Sequence, residues 1–208
     1  MNEVVLFFDL FDTLIKVDRG YLERYFDSEI DLLGDKGILK NSKMTIGEIV
    51  SKYPESLVKY SLEEMVNYYD NVMSDSIINV EKDILDMLAS LKKLGYKLCI
   101  ISDAAYVDIK DFKLSPLAKY FDNTIFSCEH GFTKPDKKIY EIAMEVMGSP
   151  DKMVFVGDGG HDELVGAKEA GMKTIKVDWF KKRELFDSVD CIVRDSKELI
   201  KFVNDLWL

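Results

Sequence analysis

The chain alternates short apolar runs with amphipathic helical segments, and this alternation restricts its fold more than any other feature. The first run, VVLFFDL at 4–10, is apolar except for Asp9 near its end, which is typical of a strand buried on both faces. Strands separated by helices predict an α/β fold with a doubly wound parallel sheet. The further strand-like runs are YKLCIIS (96–102), MVFVG (153–157), KTIKV (173–177) and VDCIV (189–193), and helical periodicity is found at 81–94, 136–147, 162–170 and 195–206.

Residues 17–80 interrupt this alternation. They contain no convincing strand, but two capping-box patterns, TIGE at 45–48 and SLEE at 61–64, predict helix starts. We therefore expect a small helical domain at 17–80, inserted after the first strand of a core domain that comprises 1–16 and 81–208. Its frequent aromatic residues are interpreted as the core of that domain.

The composition limits the classes of partner. The 208 residues carry a net charge of −10, and 47% of them are hydrophobic and 32% charged, the balance of a globular protein. Such a surface repels a phosphate backbone, so nucleic acid is not an expected partner. No apolar run reaches the length of a bilayer-spanning helix, so no membrane partner is expected.

The cysteines bear on the cellular compartment. Cys99, Cys128 and Cys191 lie far apart and form no Cys-x-x-Cys pair. Cys99 and Cys191 fall inside strand-like runs, so we expect buried free thiols. The N-terminal residues lack the basic flank and cleavage site of a signal peptide. These features predict a reducing, cytoplasmic environment.

Polar residues follow three of the predicted strands. Asp9 ends the first, Ser102 and Asp103 end the second, and Asp158 follows Gly157 at the end of the third. Any one of these would be an ordinary turn residue. Because ligands bind beyond the carboxyl ends of the strands in such sheets, their convergence predicts a functional site at that edge.

Two further segments supply charge to the same edge. In GFTKPDKKIY (131–140), Pro135 restricts the residue before it to an extended conformation, which holds the Lys134 ammonium near the mouth of the sheet. In VGDGGHDELVGAKEAG (156–171), acids gather within six residues, which suggests an oxygen-rich site for a hard cation such as Mg²⁺. A carboxylate nucleophile, a metal and a lysine together favour phosphoryl transfer.

The pattern resembles the haloacid dehalogenase superfamily, and the resemblance spans nearly the whole chain. Four motifs match in order and spacing, and the segment at 17–80 lies where that family inserts its helical cap. The motifs are FDLFDTL with Asp9, IISD with Ser102, TKPD with Lys134 and VGDGGHDE with Asp158.

This resemblance implies a role for each matched residue. Asp9 would be the nucleophile, Ser102 would hydrogen-bond the transferring phosphoryl group, and Lys134 would neutralise charge on both. Asp103 is a further candidate for contact with the substrate. Mg²⁺ would be held by Asp9, the backbone carbonyl of Phe11, Asp158, and either Asp162 or Glu163, with Asp162 favoured. Asp12 and Thr13 are additional candidates in the turn after Asp9.

Phe11 departs from the family pattern. Phosphatases of this family usually carry an aspartate there, which protonates the leaving alcohol, and such a general acid contributes on the order of 10²–10⁴-fold to rate. Asp12 stands next to it and has two interpretations: a replacement acid, or a residue that shapes the turn through its own hydrogen bonds.

Three functional hypotheses follow. The first is a Mg²⁺-dependent phosphatase that acts on a small phosphorylated metabolite through an aspartyl-phosphate at Asp9. The second is a metal-independent 2-haloacid dehalogenase, because halide leaves without a proton and Tyr140 resembles a tyrosine of those enzymes. The third is a phosphate-binding regulatory protein with little turnover. Asp158 favours the first, because the dehalogenases lack that acid. The identity of the substrate and the oligomeric state stay open.

Overall fold

A single parallel sheet organises the part of the chain that the structure describes. The structure is a computed structural model and describes residues 4–17, 61–184 and 189–206, together with residues 43 and 48. The six strands stand in the order β3-β2-β1-β4-β5-β6, and every neighbouring pair is parallel. This confirms the predicted α/β, doubly wound class. The strands are β1 (Val4–Phe8), β2 (Lys97–Ser102), β3 (Asn123–Phe126), β4 (Lys152–Gly157), β5 (Lys173–Val177) and β6 (Cys191–Val193).

Helices connect the strands on both faces of the sheet. All four helices predicted between and after the later strands are present, with ends within two residues of those expected. The left-handed Gly95, with a φ of 91°, ends the first of them. The helices are α1 (Leu62–Ile78), α2 (Lys82–Lys93), α3 (Tyr106–Ile109), α4 (Ser127–His130), α5 (Lys137–Val146), α6 (Glu163–Glu169) and α7 (Ser196–Asp205), and short 3₁₀ turns lie at Phe112–Leu114, Ala118–Tyr120 and Gly160–Asp162.

Strand β1 lies in the middle of the sheet and separates two hydrophobic cores. Leu6 and Phe8 pack into the core that contains α2 and α7, whereas Val5 and Phe7 pack into the core that contains α5 and α6. All four side chains are fully buried. The strand is thus buried on both faces, as its continuous apolar run predicts. The end of β1 that leads into Asp9 therefore lies between two packed layers.

Two features of the sheet differ from the sequence predictions. Strand β3 was not predicted, because Asn123 and Thr124 occupy half of its length and remain partly exposed. Cys191 is only half-buried, because β6 is a short strand at the edge of the sheet. The expectation of a buried thiol at Cys191 is therefore wrong, whereas Cys99 and Cys128 are buried, and all three cysteines are free.

The inserted domain predicted at 17–80 lies mostly outside the described residues, so its boundaries stay a prediction. Helix α1 begins at the predicted capping box, in which Glu64 N–H donates to Ser61 Oγ over 3.3 Å and Ser61 N–H donates to the Glu64 carboxylate over 3.0 Å. The later half of α1 contacts the core, since Ser115 Oγ donates to the Ile77 carbonyl over 2.7 Å. None of the described helices is both long enough and apolar enough to cross a bilayer.

Candidate active site

The turn after β1 fixes the position of Asp9. The Asp9 N–H donates to the Val156 carbonyl of β4 over 2.9 Å, and the residue is 6% exposed. Asp12 adopts a left-handed conformation with a φ of 61°, and its N–H donates to the Ile15 carbonyl over 2.7 Å. This tight turn brings Thr13 Oγ1 back to donate to Asp9 Oδ2 over 3.2 Å. One oxygen of Asp9 is thereby oriented by its own turn.

Lys134 contacts the other oxygen of Asp9. Its Nζ lies 2.5 Å from Asp9 Oδ1 and 2.5 Å from Glu163 Oε2, and its side chain is 3% exposed. The Lys134 N–H donates to Asp103 Oδ1 over 2.8 Å, which joins the lysine loop to the end of β2. Asp103 therefore positions the lysine backbone, and its contact with the substrate stays a prediction.

Close packing between α6 and the lysine loop brings Glu163 to Lys134. A Cβ on Gly166 would lie 2.7 Å from the carbonyl oxygen of Pro135, so only glycine permits this approach. A Cβ on Gly157 would lie 2.3 Å from Glu163 Oε1, so that glycine makes room for the carboxylate. Tyr140 Oη donates to the Glu163 carbonyl over 2.7 Å. The Tyr140 hydroxyl thus holds the first turn of α6.

Three buried carboxylates meet at the sheet edge. Asp9, Asp158 and Glu163 each offer an oxygen within 4.8 Å of the others. Asp162, favoured from the sequence as a metal ligand, is exposed and is not a member of this group. His161 and Asp162 adopt left-handed conformations, and Glu163, which follows them, is buried in the site. We therefore transfer the metal-ligand proposal from Asp162 to Glu163.

Burial governs the electrostatics of the group. Burial, followed by the charge of Asp9, raises the pKa of Glu163 to about 8. Burial also raises the pKa of Asp9, although Lys134 opposes the effect. Burial alone would lower the pKa of Lys134, but Asp9 and Glu163 outweigh it and hold that pKa well above the usual value. The lysine therefore stays an ammonium among acids that gain from a further cation.

The carboxylates fit a hard divalent cation. Mg²⁺ prefers oxygen ligands, and the close carboxylate oxygens of Asp9, Asp158 and Glu163 form a suitable set. The neighbouring Gly159 N–H donates to Glu163 Oε1 over 2.9 Å, which orients that carboxylate. The role of the Phe11 carbonyl as a ligand stays a prediction.

Ser102 ends β2 at the same edge with an unused hydroxyl. Among the side chains that the structure describes, its Oγ is the one buried polar atom with no hydrogen-bond partner. A buried hydroxyl without a partner costs free energy, on the order of 1–3 kcal/mol. Such a cost is explained where a ligand supplies the missing partner. Ser102 is thus a free donor for an anionic group.

Two residues of the site, Trp179 and Arg183, are not predicted from the sequence. Trp179 Nε1 donates to the Thr13 carbonyl over 2.8 Å. Arg183 Nε donates to Asp158 Oδ2 over 2.5 Å, and its Nη2 lies 3.8 Å from Asp12 Oδ2. Both residues follow β5, so the carboxyl-end rule that located the other residues would have pointed to this segment as well.

Several known proteins are similar to this chain in sequence or fold. The family model described as haloacid dehalogenase-like hydrolase matches residues 7–177. The pyrophosphatase PpaX of Bacillus mycoides (strain KBAB4) is 33% identical over 125 residues, which cover 57% of this chain and 57% of that protein. A glyceraldehyde 3-phosphate phosphatase of Methanothermobacter thermautotrophicus is 27% identical over 202 residues, which cover 83% and 84% of the two chains. A solved dehalogenase structure has a TM-score of 0.70 over 96% of both chains, and at 19% identity it shows the shared fold alone.

Proposed function

The chain belongs to the haloacid dehalogenase-like hydrolases, and on that premise we propose that it is a Mg²⁺-dependent phosphatase that acts on a small phosphorylated metabolite. The relatives named as phosphatases support hydrolysis of a phosphate compound. The observation that carries the proposal is the buried contact between Asp9 and Lys134, beside the unpartnered hydroxyl of Ser102.

Asp9 is the nucleophile in this proposal. One of its oxygens attacks phosphorus, the bond from phosphorus to the leaving oxygen breaks, and an aspartyl-phosphate results. Lys134 and Ser102 neutralise and hydrogen-bond the charge of the phosphoryl oxygens, which is the main requirement of such a transfer. Water then attacks the phosphorus, releases phosphate and regenerates Asp9.

Asp9, Asp158, Glu163 and the Phe11 carbonyl would hold the metal. When bound, Mg²⁺ supplies positive charge next to the transferring group. This charge would add to that of Lys134, which contacts Asp9 and Glu163, and of Arg183, which contacts Asp158. It also separates this site from one that works without metal.

The chain lacks a general acid at the position where the family carries it. Phe11 has no proton to donate, and Asp12 faces Arg183 through an ion pair of 3.8 Å. The left-handed turn at Asp12 supports its interpretation as a turn residue. We therefore infer a preference for leaving groups that depart without a proton, such as those of aryl and acyl phosphates.

The same substitution at Phe11 keeps 2-haloacid dehalogenation as a second candidate, because halide also leaves without a proton. Two observations weigh against it. Asp158 and Glu163 bring acids to the site that a metal-free displacement does not need. The Tyr140 hydroxyl is already bound to the Glu163 carbonyl.

A substrate screen tests the proposal. The purified protein is assayed with p-nitrophenyl phosphate, acyl phosphates, sugar phosphates and 2-haloacids, with either Mg²⁺ or EDTA. We expect phosphate release that EDTA abolishes and Asp9→Asn removes, whereas the Asp151→Asn change at an exposed position retains the rate. Halide release from 2-haloacids that persists in EDTA would contradict the phosphatase proposal and support the dehalogenase. Binding of phosphate without turnover of any compound would favour a regulatory role.

A further inference from the structure

Arg183 is the second cation of the acidic site, and it stands in a different position from Lys134. We propose that Arg183 is a resident counter-cation: its guanidinium holds the Asp158 carboxylate before metal binds, and Mg²⁺ must displace it from that carboxylate. Arg183 is thus a positioning residue that sets the affinity of the site for metal. The inference rests on the metal site proposed above.

Both oxygens of Asp158 have partners within the chain. Oδ1 accepts from the Gly160 N–H over 3.0 Å, and Oδ2 accepts from Arg183 Nε over 2.5 Å. The Asp158 side chain is 4% exposed, so it needs these partners. A metal that coordinates Oδ2 therefore competes directly with the guanidinium.

The loop after β4 lies against the guanidinium. A Cβ on Gly160 would lie at ordinary contact distances of 3.4 Å from Arg183 Nη2 and 3.5 Å from its Cζ. Asp12 contributes a second carboxylate, whose Oδ2 lies 3.8 Å from Arg183 Nη2. The segment that carries Arg183 is also fastened to the Asp12 turn, because Trp179 donates to the Thr13 carbonyl.

The two cations of the site differ in how freely they can move. The Lys134 side chain is 3% exposed and contacts Asp9 and Glu163, whereas the Arg183 side chain is 28% exposed. Lys134 is enclosed and fixed beside the nucleophile. Arg183 reaches solvent, so it can leave Asp158 and be solvated when another cation arrives. A like charge next to the metal position also weakens metal binding until it moves.

Metal titration tests the inference. Mg²⁺ binding is measured calorimetrically for the wild-type chain, Arg183→Gln and Arg194→Gln. Arg194 is a matched control, because its side chain is 77% exposed and its ion pair is with Glu198 at 4.0 Å. We expect Arg183→Gln to lower the Mg²⁺ dissociation constant about tenfold, which equals about 1.4 kcal/mol. The same variant should lower the Tm measured in EDTA and enlarge the Tm rise on adding Mg²⁺, and Arg194→Gln should change neither.

Nuclear magnetic resonance of the unmodified chain provides a second measurement. The Nε–H signal of Arg183 is assigned by its loss in Arg183→Lys, and Mg²⁺ is then titrated. We expect a solvent-protected signal without metal that shifts and loses protection on saturation. A signal unchanged at Mg²⁺ saturation overturns the inference, as does an unchanged or weakened affinity in folded Arg183→Gln. If Mg²⁺ binds neither the wild type nor Arg183→Gln, the proposed metal site fails as well.

Discussion

Replacing Gly166 by alanine should disturb the site through packing alone. The new Cβ would lie 2.7 Å from the carbonyl oxygen, 2.8 Å from the Cβ and 2.9 Å from the Cα of Pro135. Real Cβ atoms do not approach other atoms so closely, and two of these three are backbone atoms. Helix α6 or the Pro135 segment must therefore shift. Either shift changes the contact between Lys134 and Glu163, which is 2.5 Å long.

The magnitude follows from two opposing effects. Overpacking costs about 1–3 kcal/mol, whereas alanine in a helix gains about 0.5–1 kcal/mol over glycine. We expect a net loss of about 1–2 kcal/mol in the free energy of unfolding, which corresponds to a Tm decrease of about 2–8 °C for a chain of this size. Misplacement of Lys134 should lower kcat by about tenfold to a hundredfold.

Thermal unfolding and steady-state kinetics measure the two effects, and Gly148→Ala is the matched control. Gly148 has a φ of 82°, and no atom lies within 4 Å of the position that a Cβ would take, so alanine there strains the backbone without a steric clash. We expect Gly148→Ala to lose about 1–2 kcal/mol and to retain kcat. An unchanged kcat and Tm in Gly166→Ala would refute the packing account of how α6 and the lysine loop position the site.

The remaining predictions concern the missing acid, the thiols and one ion pair. Phe11→Asp should raise turnover of alkyl phosphates by on the order of 10²–10⁴-fold and of p-nitrophenyl phosphate much less, with Phe11→Asn as the control; equal gains on both substrates would contradict the leaving-group argument. Thiol labelling of the folded chain at pH 8 should modify the half-buried Cys191 before the buried Cys99 and Cys128. Burial raises the pKa of Cys99 to about 12 and that of Cys128 to about 11; equal labelling rates for the three thiols would contradict this. Asp122 accepts hydrogen bonds from Lys92 Nζ and from the Leu98 N–H. Burial alone would raise the pKa of Asp122, but these contacts lower it. A lowered pKa stabilises the fold above the ordinary aspartate pKa of about 4, and this stabilisation is lost as pH falls through the folded value. Asp122→Asn should therefore reduce the Tm at pH 7 and progressively less in acid, and a difference independent of pH would rule this out.

The fold was predictable where one rule applied along the whole segment. Continuous apolar runs located β1, β2 and β4, because strands buried on both faces carry mostly apolar side chains. The run KTIKV located β5 as well, although Thr174 and Lys176 are polar and buried there. The edge strands lack that constraint. Half of β3 is polar, so no continuous apolar run marks it. Strand β6 spans only Cys191–Val193, and neither the extent nor the burial of β6 follows from the sequence.

The candidate site likewise contains residues that the sequence predicts and residues that it does not. Asp9, Ser102 and Asp158 lie at the ends of strands, so their common edge follows from the parallel order. Whether Asp162 or Glu163 enters the site depends on the left-handed backbone at His161 and Asp162. A left-handed conformation is uncommon for non-glycine residues, so the sequence does not predict it there.

Arg183 reaches the site from a loop 25 positions beyond its partner Asp158. No spacing rule relates such residues, because their contact depends on how the segment after β5 packs. An arginine in the run WFKKRE is indistinguishable in the sequence from a solvated surface residue. The end of β5 points to this segment, but the contacts of Arg183 with Asp158 and Asp12 are visible only in the structure.

Chemical trapping at Asp9 tests the central claim most directly. The chain is mixed with Mg²⁺ and an acyl phosphate substrate, quenched during turnover, and reduced with borohydride, which converts an aspartyl-phosphate to homoserine. Peptide mass spectrometry then locates the changed residue. We predict homoserine at position 9, dependent on both substrate and Mg²⁺. Steady turnover with no modification at Asp9, or with the modification at another carboxylate, would contradict the account.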